Sequence, residues 1–177
     1  MARAVREGVA SKIGRGYLNP ANTIVVDEQD FAFGSYDHLP RSRFLVTYDV
    51  ITCLTVLAYN PKYRAGFIGH AYEVVNVSDA IERAVDLLDA KTVVLFGGRA
   101  YDNPSLDNVS IAEAMLSRYQ GRVKVTGRDT LRMKRPTAIG MDTKTGELIY
   151  PTNKVEYTRG NSYPLRAWLD TPIANLV

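Results

Sequence analysis

The stretch FLVTYDVITCLTVLAYNPKYRAGFIGHAYEV, residues 44–74, decides the fold. Residues 53–59 are rich in β-branched and aromatic side chains, which is typical of a strand. Residues 60–62 (Asn-Pro-Lys) form a turn sequence, and residues 66–74 are predicted to be the returning strand. The segment therefore predicts a β-hairpin, with the single cysteine of the chain on its first arm and His70 on its second.

Outward from the hairpin, the sequence predicts further short strands separated by turns. They are expected at residues 23–26, 31–33, 44–48, 92–96, 123–126, 136–141 and 147–150. One helix is predicted around residues 81–88 with Ser78 as its N-cap, and another from Ser110, which forms a capping-box pattern with Glu113. Because hairpins outnumber βαβ crossovers, we expect an α/β fold of mixed, mostly antiparallel β-sheets packed as a sandwich, with the two main helices on the outside.

Length and composition limit the class of protein. The 177 residues favour a single domain over 1–177, with a core at 23–150 and a C-terminal extension at 151–177. A net charge of +3 is milder than that of a dedicated nucleic-acid-binding protein. No apolar run approaches the roughly 18 residues of a transmembrane helix, and one cysteine permits no internal disulfide. We therefore expect a cytoplasmic protein with no stable membrane insertion and no nucleic-acid partner, with a secreted effector as the alternative.

Cys53 and the two histidines, His38 and His70, are the candidates for nucleophilic chemistry. A thiolate nucleophile needs a base to accept its proton and a third group to orient that base. His70 lies on the predicted return strand, where a cross-strand approach to Cys53 is natural, whereas His38 lies in a polar loop and is the weaker candidate. Taken singly, such residues are more commonly a small buried hydrophobe and a hydrogen-bonded core histidine. One cysteine and two histidines are too few ligands for a typical structural zinc site.

The spacing of Thr47, Cys53 and His70 resembles that of the CheD family of bacterial chemoreceptor glutamine deamidases. That family places a threonine six residues before its catalytic cysteine and a histidine seventeen residues after it, and this chain has the same spacing. The segment at residues 90–98, which begins Ala-Lys and ends Phe-Gly-Gly, is also similar to a family segment. The resemblance covers roughly residues 23–150.

The resemblance implies a protein-glutamine deamidase of chemotaxis. Cys53 would attack the side-chain amide of a glutamine on a partner protein, with His70 as its base and Thr47 orienting His70. Pairing with a histidine is expected to lower the pKa of the thiol, and the backbone N–H of Cys53 is expected to stabilise the oxyanion. Glutamate and ammonia are the products, no metal or organic cofactor is required, and a regulatory partner protein is a further expectation. The substrate-binding residues expected with this site are Thr52, Gly97, Gly98 and Tyr72.

The chain departs from the family pattern at Ile51, where the family has the glycine of Leu-Gly-Ser-Cys. A glycine beside a nucleophile permits unusual backbone conformations, so two alternatives stay open. One is a non-catalytic binding module with a CheD-like fold, and the other is an exported effector that acts as a deamidase or a transglutaminase. A basic run is typical of a solvated hairpin and also fits an acidic partner surface. It consists of Arg128, Arg132, Lys134 and Arg135.

Overall fold

The part of the chain described by a computed structural model, residues 18–37, 42–152, 154 and 163–164, contains ten strands and two α-helices. The strands are β1 (Thr23–Val26), β2 (Asp30–Ser35), β3 (Phe44–Val50), β4 (Leu54–Asn60), β5 (Ala65–Ala71), β6 (Thr92–Gly97), β7 (Lys124–Thr130), β8 (Thr137–Asp142), β9 (Leu148–Ile149) and β10 (Tyr163–Pro164). The helices are α1 (Val74–Glu82), which a π-helical segment at Arg83–Leu87 continues, and α2 (Asn103–Arg118). Each strand predicted from the sequence has a counterpart here, and β10 falls in the C-terminal extension, where no element was assigned.

The strands form two sheets. One has four strands in the order β1-β3-β8-β9, and the other has six in the order β10-β2-β5-β4-β6-β7. Only β1–β3 and β6–β7 are parallel among these pairs, so both sheets are mixed and mostly antiparallel, as predicted. The hairpin β4–β5 lies at the centre of the larger sheet, because β2 and β6 pair with its two outer edges.

Two apolar layers hold these elements together, and the alternation of side chains along β4 separates them. Leu57 joins the core between the two sheets, where it meets Leu45 and Ile139 of the smaller sheet. Val56 points the other way, into the core shared with the two helices, which include Ile81. The fold is therefore a sandwich of two sheets with both helices on the outer face of the larger sheet, which confirms the predicted fold class.

The helix starts differ from the prediction. β5 ends at Ala71 rather than continuing to residue 74, and α1 begins at Val74 instead of after Ser78. The apolar stripe reaches one turn further toward the N-terminus than predicted, since Val77 is buried together with Ile81. The exposed β-branched side chains at residues 74 and 75 resemble a strand in sequence, which explains the error.

The second helix also begins earlier than its predicted start at Ser110. Its N-cap is Asp102, whose side chain accepts a hydrogen bond from the backbone N–H of Ser105, and Pro104 occupies the first turn. An aspartate cap followed by proline is a favourable start for a helix. Ser110 therefore lies inside α2, and the capping box predicted for it with Glu113 is wrong.

Neither helix in the described part of the chain is long and apolar enough to cross a membrane.

Candidate active site

The hydroxyl of Thr47 links β3 to the central hairpin. Its Oγ1 lies 2.7 Å from Nδ1 of His70 and 2.7 Å from the backbone oxygen of Val26. A carbonyl oxygen can only accept, so both contacts form together when the hydroxyl donates to Val26 and accepts from the Nδ1–H of His70. Nδ1 is then the protonated ring nitrogen, and Nε2 keeps a free lone pair. The structure thus brings Thr47 and His70 together.

The Nε2 atom of His70 is buried and has no hydrogen-bond partner among the described residues. The side chain is 3% exposed, and burial lowers its pKa to about 4, although the charges of Asp27 and Asp49 act in the opposite direction. The imidazole is therefore neutral near pH 7. A neutral imidazole with an unused lone pair has the protonation state that a general base requires.

Thr55 lies directly opposite His70 in the pairing of β4 with β5. Its Oγ1 is another buried polar atom without a partner in the described part of the chain. Each such atom costs about 1–3 kcal/mol of stability when it is left unpaired. Packing does not explain why two unpartnered polar atoms lie on one pair of facing residues. A catalytic role is one recognised reason for a protein to retain such atoms.

Cys53 occupies the position immediately before β4. The next residue, Leu54, pairs with Ala71, so Cys53 lies at the end of the hairpin that carries His70. No hydrogen bond joins the sulfur of Cys53 to Nε2 of His70. The two predicted partners thus lie at the same end of the hairpin but are not in contact through hydrogen bonding in this state.

The thiol of Cys53 is in an environment that keeps it protonated. The residue is 4% exposed, and burial is the main reason that the pKa of the thiol rises to about 12. The carboxylate of Glu28 raises the pKa further, by its charge and by accepting a hydrogen bond, while a hydrogen bond from Thr52 lowers it. The expected lowering of the thiol pKa is therefore wrong for this state, because desolvation and Glu28 outweigh Thr52.

The turn between β1 and β2, residues 27–29, covers this end of the hairpin. The backbone N–H of Gln29 donates to the backbone oxygen of His70 at 2.6 Å, and the Gln29 side-chain oxygen accepts from the N–H of Tyr72 at 3.1 Å. Gln29 adopts a φ of 69°, in the left-handed region that non-glycine residues rarely occupy. Glu28 lies in the same turn and is exposed.

A cavity of about 450 Å³ opens beside the covering turn and includes His70 in its lining. Acidic residues dominate its polar lining, with Asp27, Glu28 and Asp49, and Lys154 pairs with Asp49 at 2.6 Å. Asp49 lies in a β-bulge of β3, between the pairing positions of Thr47 and residue 50, with a φ of 58°. Bulges of this kind commonly redirect side chains next to active sites.

Gly97 fits against the loop that carries the thiol. Its φ is 114°, and a β-carbon added to it would lie 2.3 Å from the backbone oxygen of Cys53. Any side chain here would displace the Cys53 backbone, so only glycine fits. Gly98 follows with a φ of 84° and packs near Ser105 of α2. Ser105 donates to the backbone oxygen of Thr52 at 2.7 Å, and α2 thereby fixes the same loop.

The other expected site residues occupy the rim of this region. Tyr72 follows β5 and is 38% exposed, and its backbone oxygen accepts a hydrogen bond from Asn108 of α2. Thr52 adjoins Cys53 and lines a second cleft, whose lining includes no residue of the covering turn. His38, the weaker candidate base, lies outside the described residues.

Sequence reasoning missed Glu28, Gln29 and Thr55. The polar run of residues 27–30 is recognisable in the sequence as a turn, but its contact with the hairpin depends on the pairing of β2 with β5. Thr55 is a typical strand threonine in sequence, and only the register of β4 and β5 shows that it faces His70.

Within the described residues, no group of three or more His, Cys, Asp or Glu side chains is arranged to hold a metal ion. A scan of the chain against models of known protein families finds no match, and no curated protein matches it. The function is therefore inferred from the residues and their geometry.

Proposed function

We propose that this protein is a cysteine-dependent protein-glutamine deamidase, with Cys53 as nucleophile, His70 as base and Thr47 as the residue that orients the base. The observation that carries the proposal is the hydrogen bond from His70 to Thr47, which leaves the buried Nε2 free and unpartnered among the described residues. The spacing of the three residues, which resembles that of CheD deamidases, supports the same assignment.

The first chemical step begins from neutral partners. Burial keeps the pKa of Cys53 high and that of His70 low, so neither side chain is charged near pH 7. Nε2 takes the thiol proton as the sulfur attacks the amide carbon, as a histidine does for a serine nucleophile. A thiolate–imidazolium pair formed before substrate binding is not part of this mechanism.

Glu28 has to leave the thiol before the attack. Its carboxylate accepts a hydrogen bond from the protonated sulfur and opposes negative charge there. A substrate that displaces the exposed turn at residues 27–29 would remove this carboxylate and open the path to Nε2. We therefore propose that substrate binding activates the nucleophile.

The remaining steps use the same groups. The tetrahedral oxyanion is stabilised by the backbone N–H of Cys53, and protonated His70 delivers its proton to the departing nitrogen, which leaves as ammonia. Neutral His70 then activates a water molecule that hydrolyses the thioester to glutamate and free thiol. In this proposal the hydroxyl of Thr55, which lies opposite His70 and is unpartnered among the described residues, hydrogen-bonds the substrate amide or the attacking water.

A non-catalytic binding module is the second candidate, and a specific observation favours it. Cys53 is 4% exposed with a raised pKa, as is usual for a structural cysteine. In that case the orphaned polar atoms of Thr55 and His70 would be packing defects, and replacing Cys53 would leave partner binding unchanged.

Glutamine turnover tests the proposal directly. The full chain and its Cys53→Ala variant are incubated with a library of glutamine-containing peptides, and conversion to glutamate is followed by mass spectrometry and ammonia release. A second series with an added primary amine separates hydrolysis from transglutamination. Conversion that requires Cys53 supports the deamidase, transfer to the amine supports the transglutaminase, and conversion no faster than with Cys53→Ala leaves the binding module.

A further inference from the structure

A cleft of about 950 Å³ adjoins the Cys53 loop at Thr52 and shares no lining residue with the His70 cavity. Its lining brings together Thr52, the segment between β6 and α2, and the segment after β7 up to the first residue of β8. Four basic residues face this space with the fully exposed ring of Tyr101 and with Thr52. We call it the basic cleft, and its cations are Arg99, Arg132, Lys134 and Arg135.

The cations of the basic cleft lack acidic partners within the described residues. Elsewhere in the described chain, six basic side chains form ion pairs, which include Arg43 with Asp142 and Arg122 with Asp86. Arg128, which belongs to the same basic run in the sequence, pairs with Glu113 at 2.6 Å and does not line the cleft. Arg128 is therefore neutralised by its ion pair with Glu113, whereas the four cations of the basic cleft form no ion pair within the described residues.

Two of these arginines are held close together. Arg99 and Arg132 form an isolated antiparallel bridge, which places like charges opposite each other. Such an arrangement is unfavourable unless an anion offsets it. The backbone around it is fixed, because the N–H groups of Leu131 and Met133 donate to the oxygens of Gly97 and Gly98. These hydrogen bonds tie the backbone on either side of Arg132 to the end of β6.

The basic cleft begins one residue from the proposed nucleophile. Thr52 lines it and directly precedes Cys53 in the chain. We infer that the basic cleft docks an acidic segment of the substrate protein and so directs the enzyme to glutamines that have aspartate or glutamate nearby. This inference rests on the proposed function, which it narrows to a substrate class.

Carboxylates fit this cleft better than a nucleic acid does. Arginine binds carboxylates and phosphates alike through paired hydrogen bonds, so the aromatic content of the lining distinguishes the two ligands. A groove for single-stranded nucleic acid combines a basic track with several aromatic stacking platforms, whereas Tyr101 is the one aromatic residue in the lining.

Binding is measured on the full-length Cys53→Ala protein by fluorescence anisotropy, so the result does not depend on turnover. The probes are a labelled peptide with one glutamine flanked by glutamates, a matched peptide with serines in their place, and a single-stranded oligouridylate. We expect the acidic peptide to bind at least about tenfold more tightly than the serine peptide, with an affinity that falls as salt increases.

Charge removal locates the site. In Arg132→Gln/Arg135→Gln, which changes two exposed side chains, we expect roughly tenfold weaker binding of the acidic peptide. The matched control is Arg122→Gln, an exposed arginine already paired with Asp86, and it should bind like the parent. Equal binding of acidic and serine peptides, an unchanged affinity in the double variant, or tighter binding of the oligouridylate would each overturn the inference. If the parent protein shows no glutamine turnover but the Cys53→Ala protein still binds the acidic peptide, the proposed chemistry is refuted and the docking inference is not.

Discussion

Thr47 and His70 are joined by a 2.7 Å contact between Oγ1 and Nδ1, and this contact determines which ring nitrogen can act as a base. The Thr47 hydroxyl donates its hydrogen bond to the backbone oxygen of Val26, also at 2.7 Å. The ring must then donate from Nδ1. The chemistry proposed for Cys53 requires this tautomer, because Nε2 can accept the thiol proton only if its lone pair is free.

Removing the Thr47 hydroxyl should impair catalysis more than folding. In Thr47→Val the Nδ1–H loses its acceptor, so the ring is no longer held in one tautomer, and we expect kcat to fall about 100-fold, within the range of general-base catalysis. The same change should cost about 1–3 kcal/mol of unfolding free energy through the unpaired donor. Thr47→Ser retains the hydroxyl and should restore most of the activity. Histidine ring nitrogen shifts in NMR spectra check the tautomer, and equal activity of the valine and serine variants would contradict the role of Thr47.

Neutralising Glu28 should make the thiol more reactive. In Glu28→Gln the negative charge beside Cys53 is lost, so the pKa of the thiol falls, although burial keeps it above its ordinary value. Alkylation by iodoacetamide at pH 8 should accelerate roughly tenfold, since one pKa unit changes the thiolate population tenfold.

Asp27→Asn is the matched control for Glu28→Gln. Asp27 lies in the same turn but acts on the pKa of His70, not on that of Cys53. Alkylation of this variant should therefore proceed at the parental rate. Equal acceleration in both variants would show that the turn has merely loosened, and no acceleration in Glu28→Gln would remove Glu28 from the account.

The buried imidazole should make stability depend on pH in one defined window. The pKa of His70 falls from 6.5 to about 4 on folding, so between these values the unfolded state binds a proton that the folded state does not. The unfolding free energy should therefore decrease by about 1.4 kcal/mol per unit as pH falls through this window and stay flat above it. Urea unfolding of the parent and of His70→Gln at pH 7.5, 6 and 5 isolates this contribution. Parallel pH profiles for the two proteins would contradict the lowered pKa.

Thr55 should show opposite effects on stability and activity. Its Oγ1 is buried without a partner in the described residues, so Thr55→Val should leave the unfolding free energy unchanged or raise it by about 1 kcal/mol. If the hydroxyl contacts the substrate amide or the attacking water, kcat should fall at the same time. A variant with higher stability and full activity would exclude Thr55 from the site.

The sequence predicted the hairpin because β-branched runs and an Asn-Pro-Lys turn are local signals, and β4 and β5 confirm it. The resemblance to the CheD family implied that Thr47 orients His70, and the two side chains are in contact. The sequence pattern placed both helix starts too late, since the N-cap of α2 is Asp102, several residues before the apolar stripe. Local patterns find the periodic part of a helix more reliably than its ends.

The cover over the site could not be read from the sequence. Glu28 and Gln29 reach Cys53 and His70 only because β2 pairs with β5 on the far side of the hairpin. The pKa of a thiol depends on burial and on neighbours that are distant in the sequence. The cysteine–histidine spacing alone therefore predicted a lowered pKa for the Cys53 thiol, whereas the pKa is raised.

The most direct test is the rate of ammonia release from a glutamine substrate found in the peptide library, compared among the parent, Cys53→Ala, His70→Gln and the double variant. Residues that act as one catalytic unit show non-additive losses. We predict that each single variant loses at least about 1,000-fold and that the double variant is no slower than either. Activity within tenfold of the parent in His70→Gln, or losses that multiply in the double variant, would contradict a catalytic pair of Cys53 and His70.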